Sequence, residues 1–366
     1  MTSRRTAVHH DAAVDEIGQG MTETATTARR TAPGGSDRPL TEAYDTALLD
    51  LDGVVYAGPH AIEHAVDSLA AARTAGMRLA YVTNNASRPP RVVAEHLTEL
   101  GVPAEPADVI NSAQAAARVV AEKVPAGAKV LVVGGLGLEE ALAERGLVAV
   151  RSMAEEPLAV VQGFDPSVGW PQLAEAAYAV GSGLPWVASN TDMTVPTARG
   201  IAPGNGTLVA AVRAATGVEP EVAGKPLPPM HRETVLRTGA RRPLVVGDRL
   251  DTDIEGAFNG GVDSLLVFTG VTTPGQLLAA PVEHRPTYLA ADLRGLLVPQ
   301  PAVEAADGGF SCGGWTATAE GDALRLAGSG DRWDGLRALC AAAWTALDAA
   351  DGGPVDGRKA LAELGF

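Results

Sequence analysis

A parallel-sheet α/β fold, interrupted by a second α/β unit and followed by a small α+β appendage, is what this 366-residue sequence predicts. Three observations carry the prediction. From Ala47 to Leu100, apolar runs the length of one strand alternate with segments of helical period, joined by tight links. That rhythm is the mark of parallel strands crossed by helices. It restarts over 108–217, and beyond 300 it gives way to short paired strands and one long helix.

The first run, Ala47-Leu48-Leu49, reads as a buried strand ending abruptly in Asp50-Leu51-Asp52-Gly53-Val54-Val55-Tyr56. Side chains two apart on a strand share a face, so Asp50 and Asp52 are expected to emerge together. After the loop Ala57-Gly58-Pro59-His60, a helix is predicted over 61–75, with Ile62, Val66, Leu69 and Ala72 in period and Gly76 as its stop. A strand over 77–82 closes on Thr83-Asn84-Asn85, and a helix over 89–100 opens on prolines suited to its first turn. In the restarted unit, 129–133, 159–162 and 186–189 read as strands, and 138–144, 171–182 and 205–217 as helices. Gly134-Gly135-Leu136-Gly137 invites a dinucleotide reading. Its spacing is not G-x-G-x-x-G and no acidic residue ends a following strand at the required distance, so no nicotinamide site is expected.

Lys225 stands in Gly224-Lys225-Pro226 ahead of a helix over 231–238. A strand over 244–247 runs into Asp248-Arg249-Leu250-Asp251-Thr252-Asp253, then a helix over 254–259 and a strand over 264–268 closing on Thr269-Gly270. A calcium loop of the EF-hand type lies between two helices, which this strand-to-helix segment does not. In the tail, 315–319 and 324–327 read as a two-stranded hairpin, and 332–349 as an amphipathic helix carrying Trp333, Leu336, Leu339, Cys340, Trp344 and Leu347. Trp and Leu at that spacing build core.

Composition bounds the function. Hydrophobic residues make up 46%, enough for real cores. A net charge of −15 argues against nucleic acid or a membrane surface as partner. In so acidic a chain, handling an anionic substrate needs placed cations, and the lysines are only Lys123, Lys129, Lys225 and Lys359. Cys312 and Cys340 form no metal-ligand spacing and fit a reduced, cytoplasmic setting. No apolar run is long enough for a transmembrane helix. The first forty residues lack the apolar core of a signal peptide, so 1–41 is expected to be a disordered tail, and Met21 is an alternative start to Met1.

Three predicted strand ends therefore carry polar groups: Asp50 and Asp52, Thr83 and Asn84, and Asp248 with Asp253. In an open parallel sheet, ligands bind in the crevice beyond the carboxyl ends of the strands. Each group has a plainer reading, as a turn, a helix cap or a solvated lysine. Together with Lys225 they compose a site for a metal and a phosphate. Asp50 and Asp248, with a backbone carbonyl and waters, match the oxygen ligands that Mg²⁺ prefers. One carboxylate could attack phosphorus while its neighbour carries protons. Thr83, Asn84 and Lys225 would hold charge on the transferring group.

The segments Asp50-x-Asp52-Gly-Val-Val-Tyr, Thr83-Asn84-Asn85, Gly224-Lys225-Pro226 and Gly247-Asp248-Arg249-Leu250-x-Thr252-Asp253-Ile254 resemble the four motifs of the haloacid dehalogenase superfamily. More narrowly they are similar to its class IIA, the NagD-like and 4-nitrophenyl-phosphatase-like branch, over about 44–298. The resemblance implies a Rossmann-like core, 42–104 with 223–298, and a C2-type cap inserted at 105–222. It implies Asp50 as nucleophile and Asp52 as general acid/base. It implies Mg²⁺ on Asp50, the Asp52 carbonyl, Asp248 and, through a water, Asp253, with phosphate on Thr83, Asn84 and Lys225. Asn190, Thr191 and Asp192 match the branch's cap signature and are candidate substrate contacts. The dehalogenases proper lack the second aspartate, so Asp52 favours phosphatase chemistry.

The appendage, 299–366, resembles that of the D-glycerol-3-phosphate phosphatases of high-GC bacteria, a fragment of an acetyltransferase fold without a readable acyl-CoA loop. The expected activity is hydrolysis of glycerol 3-phosphate, with no acyl transfer. The alternatives are a pyridoxal-phosphate, nucleotide or broad aryl-phosphate phosphatase, and a fold-retaining regulatory protein without turnover. Caps of this class often mediate dimers, so a homodimer is a possible assembly.

Overall fold

Ala47, Leu48 and Leu49 are buried on both faces of their strand, because helices cover the sheet on either side. The structure, a computed structural model, describes residues 30–197, 199–349 and 352–366. The possible start at Met21 lies outside them. The expected tail 1–41 is only partly outside. Residues 30–41 pack on the molecule rather than hanging free: Gly34 N–H donates to the Thr287 carbonyl at 2.7 Å, and Leu40 is fully buried.

The chain lays down β1 (Thr46–Leu49), β2 (Arg78–Thr83) and β3 (Val109–Asn111) side by side in parallel. It then builds a second sheet from β4 (Lys129–Val133), β5 (Val148–Val150), β6 (Ala159–Gln162), β7 (Trp186–Ala188) and β8 (Glu221–Val222). It returns to the first sheet with β9 (Pro243–Gly247), β10 (Asp263–Val267) and β11 (Tyr288–Ala290). The first sheet reads β11-β10-β9-β1-β2-β3 and the second β8-β7-β6-β4-β5. Connections leave β1 in one direction and return on its other side. β1 therefore sits at the switch point where an open parallel sheet forms its crevice.

Several expected boundaries move. The second unit, expected from 105, begins after β3, because Val109–Asn111 continues the first sheet beside Tyr81–Thr83. The helix predicted over 61–75 starts at Ala65, since Tyr56–Ala57 and His60–Ala61 pair as a hairpin first. The helix expected over 231–238 starts at Pro228, where the missing proline N–H costs nothing. Ser112–Ala121 is a helix that the alanine-rich sequence left unmarked.

The two parallel sheets are not separate bodies. One apolar cluster runs from Leu48, Ala80 and Val82 through the helix Ser112–Ala121 to Val130, Val132 and Val161. A buried ion cluster lies on the same seam. Glu233, on the helix Pro228–Thr238, is fully buried and bonded to Arg118, Arg145 and Arg237. Burial alone would raise its pKa, but the arginines hold it below the ordinary carboxylate value. The turn Gly134–Gly137 has its reason here as well. A side chain on Gly137 would collide with the Ala86 carbonyl, and one on Gly135 with the Asp165 carboxylate.

The tail forms four antiparallel strands in sequence order, β12 (Glu304–Ala306), β13 (Gly309–Cys312), β14 (Trp315–Glu320) and β15 (Ala323–Gly328), not the expected two. The short, glycine- and alanine-rich β12 and β13 lack strand propensity and are recruited by pairing. The helix Arg332–Asp348 is buried throughout Gly335–Trp344 instead of along one stripe. It lies between its own sheet and the flank of the first, in one cluster with Leu266, Leu277 and Leu289. Cys312 and Cys340 are buried free thiols.

Candidate active site

The ends of β1, β2 and β9 converge on one crevice. Leu49 is paired with Tyr81 and with Val246, so Asp50, Thr83 and Asp248 follow at neighbouring strand ends. The two carboxylates of the first motif do not ride on one extended strand, as their spacing predicts. β1 ends at Leu49, and the chain turns at once, the Leu51 carbonyl accepting from the Val55 N–H at 2.9 Å and the Tyr56 N–H at 3.2 Å. That turn leaves Asp50 with a side chain only 14% exposed and carries Asp52 out to the mouth of the crevice. Gly53 makes the turn possible. Its φ is +87°, and a Cβ there would stand 2.6 Å from Asp248 Oδ2.

Lys225 is the one lysine drawn into the crevice. Its Nζ donates to Asp50 Oδ1 at 2.5 Å, to Asp253 Oδ1 at 2.7 Å and to the Val82 carbonyl at 3.1 Å. Of the other lysines, Lys123 pairs with Glu221 at 2.6 Å and Lys129 donates to the Glu155 carbonyl, both far from the site. Burial opposes the Lys225 charge, but Asp253 and Asp50 outweigh it and raise its pKa.

One ammonium does not balance the carboxylates. Asp50, Asp248 and Asp253 offer oxygens within 4.8 Å of one another. Asp248 is fully buried; its Oδ2 accepts from the Val271 N–H at 2.7 Å, while Oδ1 has no partner. Burial, only partly offset by Lys225, pushes Asp50 up to about 8, and burial with the nearby Asp253 pushes Asp248 up to about 6. Three converging carboxylates with an orphaned buried acceptor are a donor set fitted to a cation. Hard oxygen ligands in this number suit Mg²⁺.

The remaining expected residues fall on the same crevice with different commitments. Thr83 is buried, and its hydroxyl accepts from the Asn85 N–H at 3.1 Å. Asn84 locks the Lys225 loop, its Oδ1 accepting from the Lys225 N–H at 2.8 Å and its Nδ2 donating to the Lys225 carbonyl at 3.2 Å. Of the three candidates in the second unit, only Asp192 reaches the site with a side chain that backbone bonds have not claimed. Its carboxylate lies 3.3 Å from Asn84 Nδ2. Asn190 is spent on structure, donating to the Asn84 carbonyl at 2.7 Å and accepting from the Asp192 N–H. Thr191 is exposed, its backbone packed under Gly206.

Sequence reasoning missed the loop behind the cluster. Thr269 Oγ1 donates to the Gly53 carbonyl at 2.6 Å, and Thr272 N–H to the Asp248 carbonyl at 3.2 Å. The only signal was Thr269-Gly270 closing a strand, which by itself is ordinary turn chemistry.

Comparison with known proteins places the chain in a family. Residues 47–148 match a family model of haloacid dehalogenase-like hydrolases, and 222–296 match a second hydrolase model of the same kind. Residues 312–366 match a GCN5-related N-acetyltransferase-like domain. The D-glycerol 3-phosphate phosphatase of Mycobacterium tuberculosis is 45% identical over 317 residues, 84% of this chain and 88% of its own. An acid sugar phosphatase of Staphylococcus aureus is 38% identical over 252 residues, 68% of this chain and 95% of its own. Among solved structures, the M. tuberculosis glycerol phosphate phosphatase in complex with magnesium superposes with a TM-score of 0.80 at 42% identity, covering 89% of this chain and 99% of that one. A p-nitrophenyl phosphatase from Archaeoglobus fulgidus superposes with a TM-score of 0.64 at 29% identity, covering 69% and 98%.

Proposed function

The chain belongs to the haloacid dehalogenase-like hydrolases, and on that premise we propose that it is a magnesium-dependent phosphatase that converts glycerol 3-phosphate to glycerol and phosphate. The observation that carries the chemistry is the cluster of Asp50, Asp248 and Asp253, with Lys225 as its one ammonium and Asp248 Oδ1 unpartnered. Asp50, the Asp52 carbonyl, Asp248 and, through a water, Asp253 would hold Mg²⁺, which when bound neutralises the cluster and polarises the phosphoryl group.

In this reading an Asp50 oxygen attacks phosphorus and the bond to the alcohol oxygen breaks. Asp52 delivers its proton to the departing alkoxide. Asp52, now ionised, takes a proton from the water that attacks the aspartyl phosphate, freeing phosphate and restoring both carboxyls. Thr83, Asn84 and Lys225 hold the charge of the phosphoryl oxygens. Asp192, across the seam from Asn84, is the side chain of the second unit best placed to accept from a hydroxyl of the alcohol.

The substrate assignment rests on extent of likeness. The glycerol 3-phosphate phosphatase aligns with 84% of this chain at 45% identity, against 68% at 38% identity for the sugar phosphatase. Two buried, unpaired thiols support a reducing, cytoplasmic setting. No helix among the described residues is long and apolar enough to cross a membrane.

A panel of phosphomonoesters (glycerol 3-phosphate, sugar, pyridoxal, nucleotide and aryl phosphates) compared by kcat/KM with Mg²⁺ tests the assignment. Glycerol 3-phosphate is expected to lead. Asp50→Asn is expected to lower turnover by about three orders of magnitude or more; phosphate release unchanged in that variant would sink the nucleophile.

A further inference from the structure

The acid cluster is supported from behind by a loop whose other end is held by the tail. β10 ends at Val267, and the next residue, Phe268, places its ring 5.1 Å from that of Trp333, tilted by 36°. Trp333 meets Phe366 edge-on at 5.1 Å, and the Arg332 guanidinium lies 3.7 Å over Phe366 while donating to the Gly365 carbonyl at 2.7 Å. Directly after Phe268 come the residues that fix the site. Thr269 binds the Gly53 carbonyl, and Val271 N–H holds Asp248 Oδ2. Gly270 passes so close to Asp248 that a side chain there would collide with the carboxylate. Val271 is itself 64% exposed, so its own side chain anchors little.

We propose that Trp333 is a positioning residue for Asp248: by stacking on Phe268 it fixes the loop 269–272, and through the Val271 N–H it sets the direction of the carboxylate. Two large aromatic rings in contact bury a wide apolar area, which mounts the end of β10 on the tail helix. Supports one step behind a metal ligand orient it and tune its affinity. The tail thereby contributes to cation binding without offering a ligand. This rests on the hydrolase reading above.

The test uses the full chain, stripped of metal and titrated with Mg²⁺ by calorimetry, alongside the Mg²⁺ dependence of phosphate release. Trp333→Ala is expected to weaken Mg²⁺ binding by about tenfold, the low end for residues that support a metal ligand. Turnover at saturating Mg²⁺ stays near that of the unsubstituted protein, and Trp333→Phe restores the affinity. Leu339→Ala, in the same helix and fully buried in the tail core, controls for general loosening. It should lower thermal stability and leave Mg²⁺ affinity unchanged. Unchanged affinity in Trp333→Ala, or equal weakening by Leu339→Ala, overturns the proposal. Should Trp333→Ala fail to fold, Phe268→Leu removes the same ring contact from the sheet side and is read by the same criteria. No Mg²⁺ binding by the unsubstituted protein would instead sink the hydrolase reading.

Discussion

Asp50 and Asp52 are the same chemical group two residues apart, yet their surroundings separate them. Asp50 lies against Lys225 in the depth of the crevice, and burial raises it to about 8. Asp52 stands at the mouth, where desolvation still raises its pKa although Lys225, Arg88 and His96 pull it down. A carboxyl that keeps its proton more readily than usual, at the side where an alcohol departs, suits a general acid. Asp52→Asn keeps the backbone carbonyl and the turn but cannot donate. Its turnover of glycerol 3-phosphate is expected to fall by about 10²–10⁴-fold, the range for general acid–base catalysis. The fall should be much smaller for 4-nitrophenyl phosphate, whose leaving group needs little proton assistance. Steady-state rates on the two esters check this, and equal losses would contradict the acid role.

At the scale of elements, the site depends on how the helix Pro228–Thr238 is fastened. Its N-terminal loop carries Lys225, and its buried Glu233 is gripped by Arg118 and Arg145 from the neighbouring segments. Breaking a buried ion cluster from one side leaves uncompensated charge, so Glu233→Gln is expected to cost about 3 kcal/mol at neutral pH. The pH dependence follows from the depressed pKa. A carboxyl held below its ordinary value of 4.5 contributes its stabilisation in full above that pH and loses it as pH falls through the native value. Urea unfolding of both proteins between pH 7 and pH 3 should therefore show the gap between them narrowing below pH 4.5. A gap that stays constant would mean that Glu233 is not ionised in the native state.

Over the whole molecule, the tail is not an independent passenger. The helix Arg332–Asp348 shares one apolar cluster with Leu266, Leu277 and Leu289 of the hydrolase part. Trp344 is fully buried, its Nε1 donates to the Leu277 carbonyl at 3.0 Å, and the Arg285 guanidinium lies 5.3 Å over its ring. Arg285 in turn is paired at 2.7 and 2.9 Å with Asp348. Trp344→Ala should cost about 3–5 kcal/mol, as large aromatic truncations in cores do. Because the cluster is continuous, loss of phosphatase activity and loss of tail structure should follow one denaturation curve, shifted together by the substitution. Tryptophan fluorescence is a suitable probe, since Trp315, Trp333 and Trp344 lie in the tail. Two separate transitions would show that the tail unfolds alone.

The chemistry was legible because it is carried by residue types at strand ends. Asp50, Thr83, Lys225 and Asp248 each follow an apolar run or a Gly/Pro turn, and local pattern registers both. The parallel sheet was legible for the same reason, since strands buried on both faces read as unbroken apolar runs. Tertiary structure decided what depends on contacts distant in sequence. Whether Val109–Asn111 belonged to the first or the second sheet turned on pairing with β2, which no local window contains. The Gly134–Gly137 turn invited a dinucleotide reading that its spacing already opposed, and its glycines answer to the approach of Ala86 and Asp165. The two carboxylates of the first motif came together through a tight turn rather than a shared strand face. Asn190 and Asp192 looked alike as candidates until hydrogen bonds consumed one and left the other facing Asn84. The sequence by itself determined the reaction class, because the residues proposed as nucleophile, acid and charge-holding groups are single side chains in short motifs. Only the fold decided that three carboxylates converge within reach of one cation, that the two sheets share one core, and that Trp333 packs on Phe268, because each is a relation between surfaces that meet after the chain has closed.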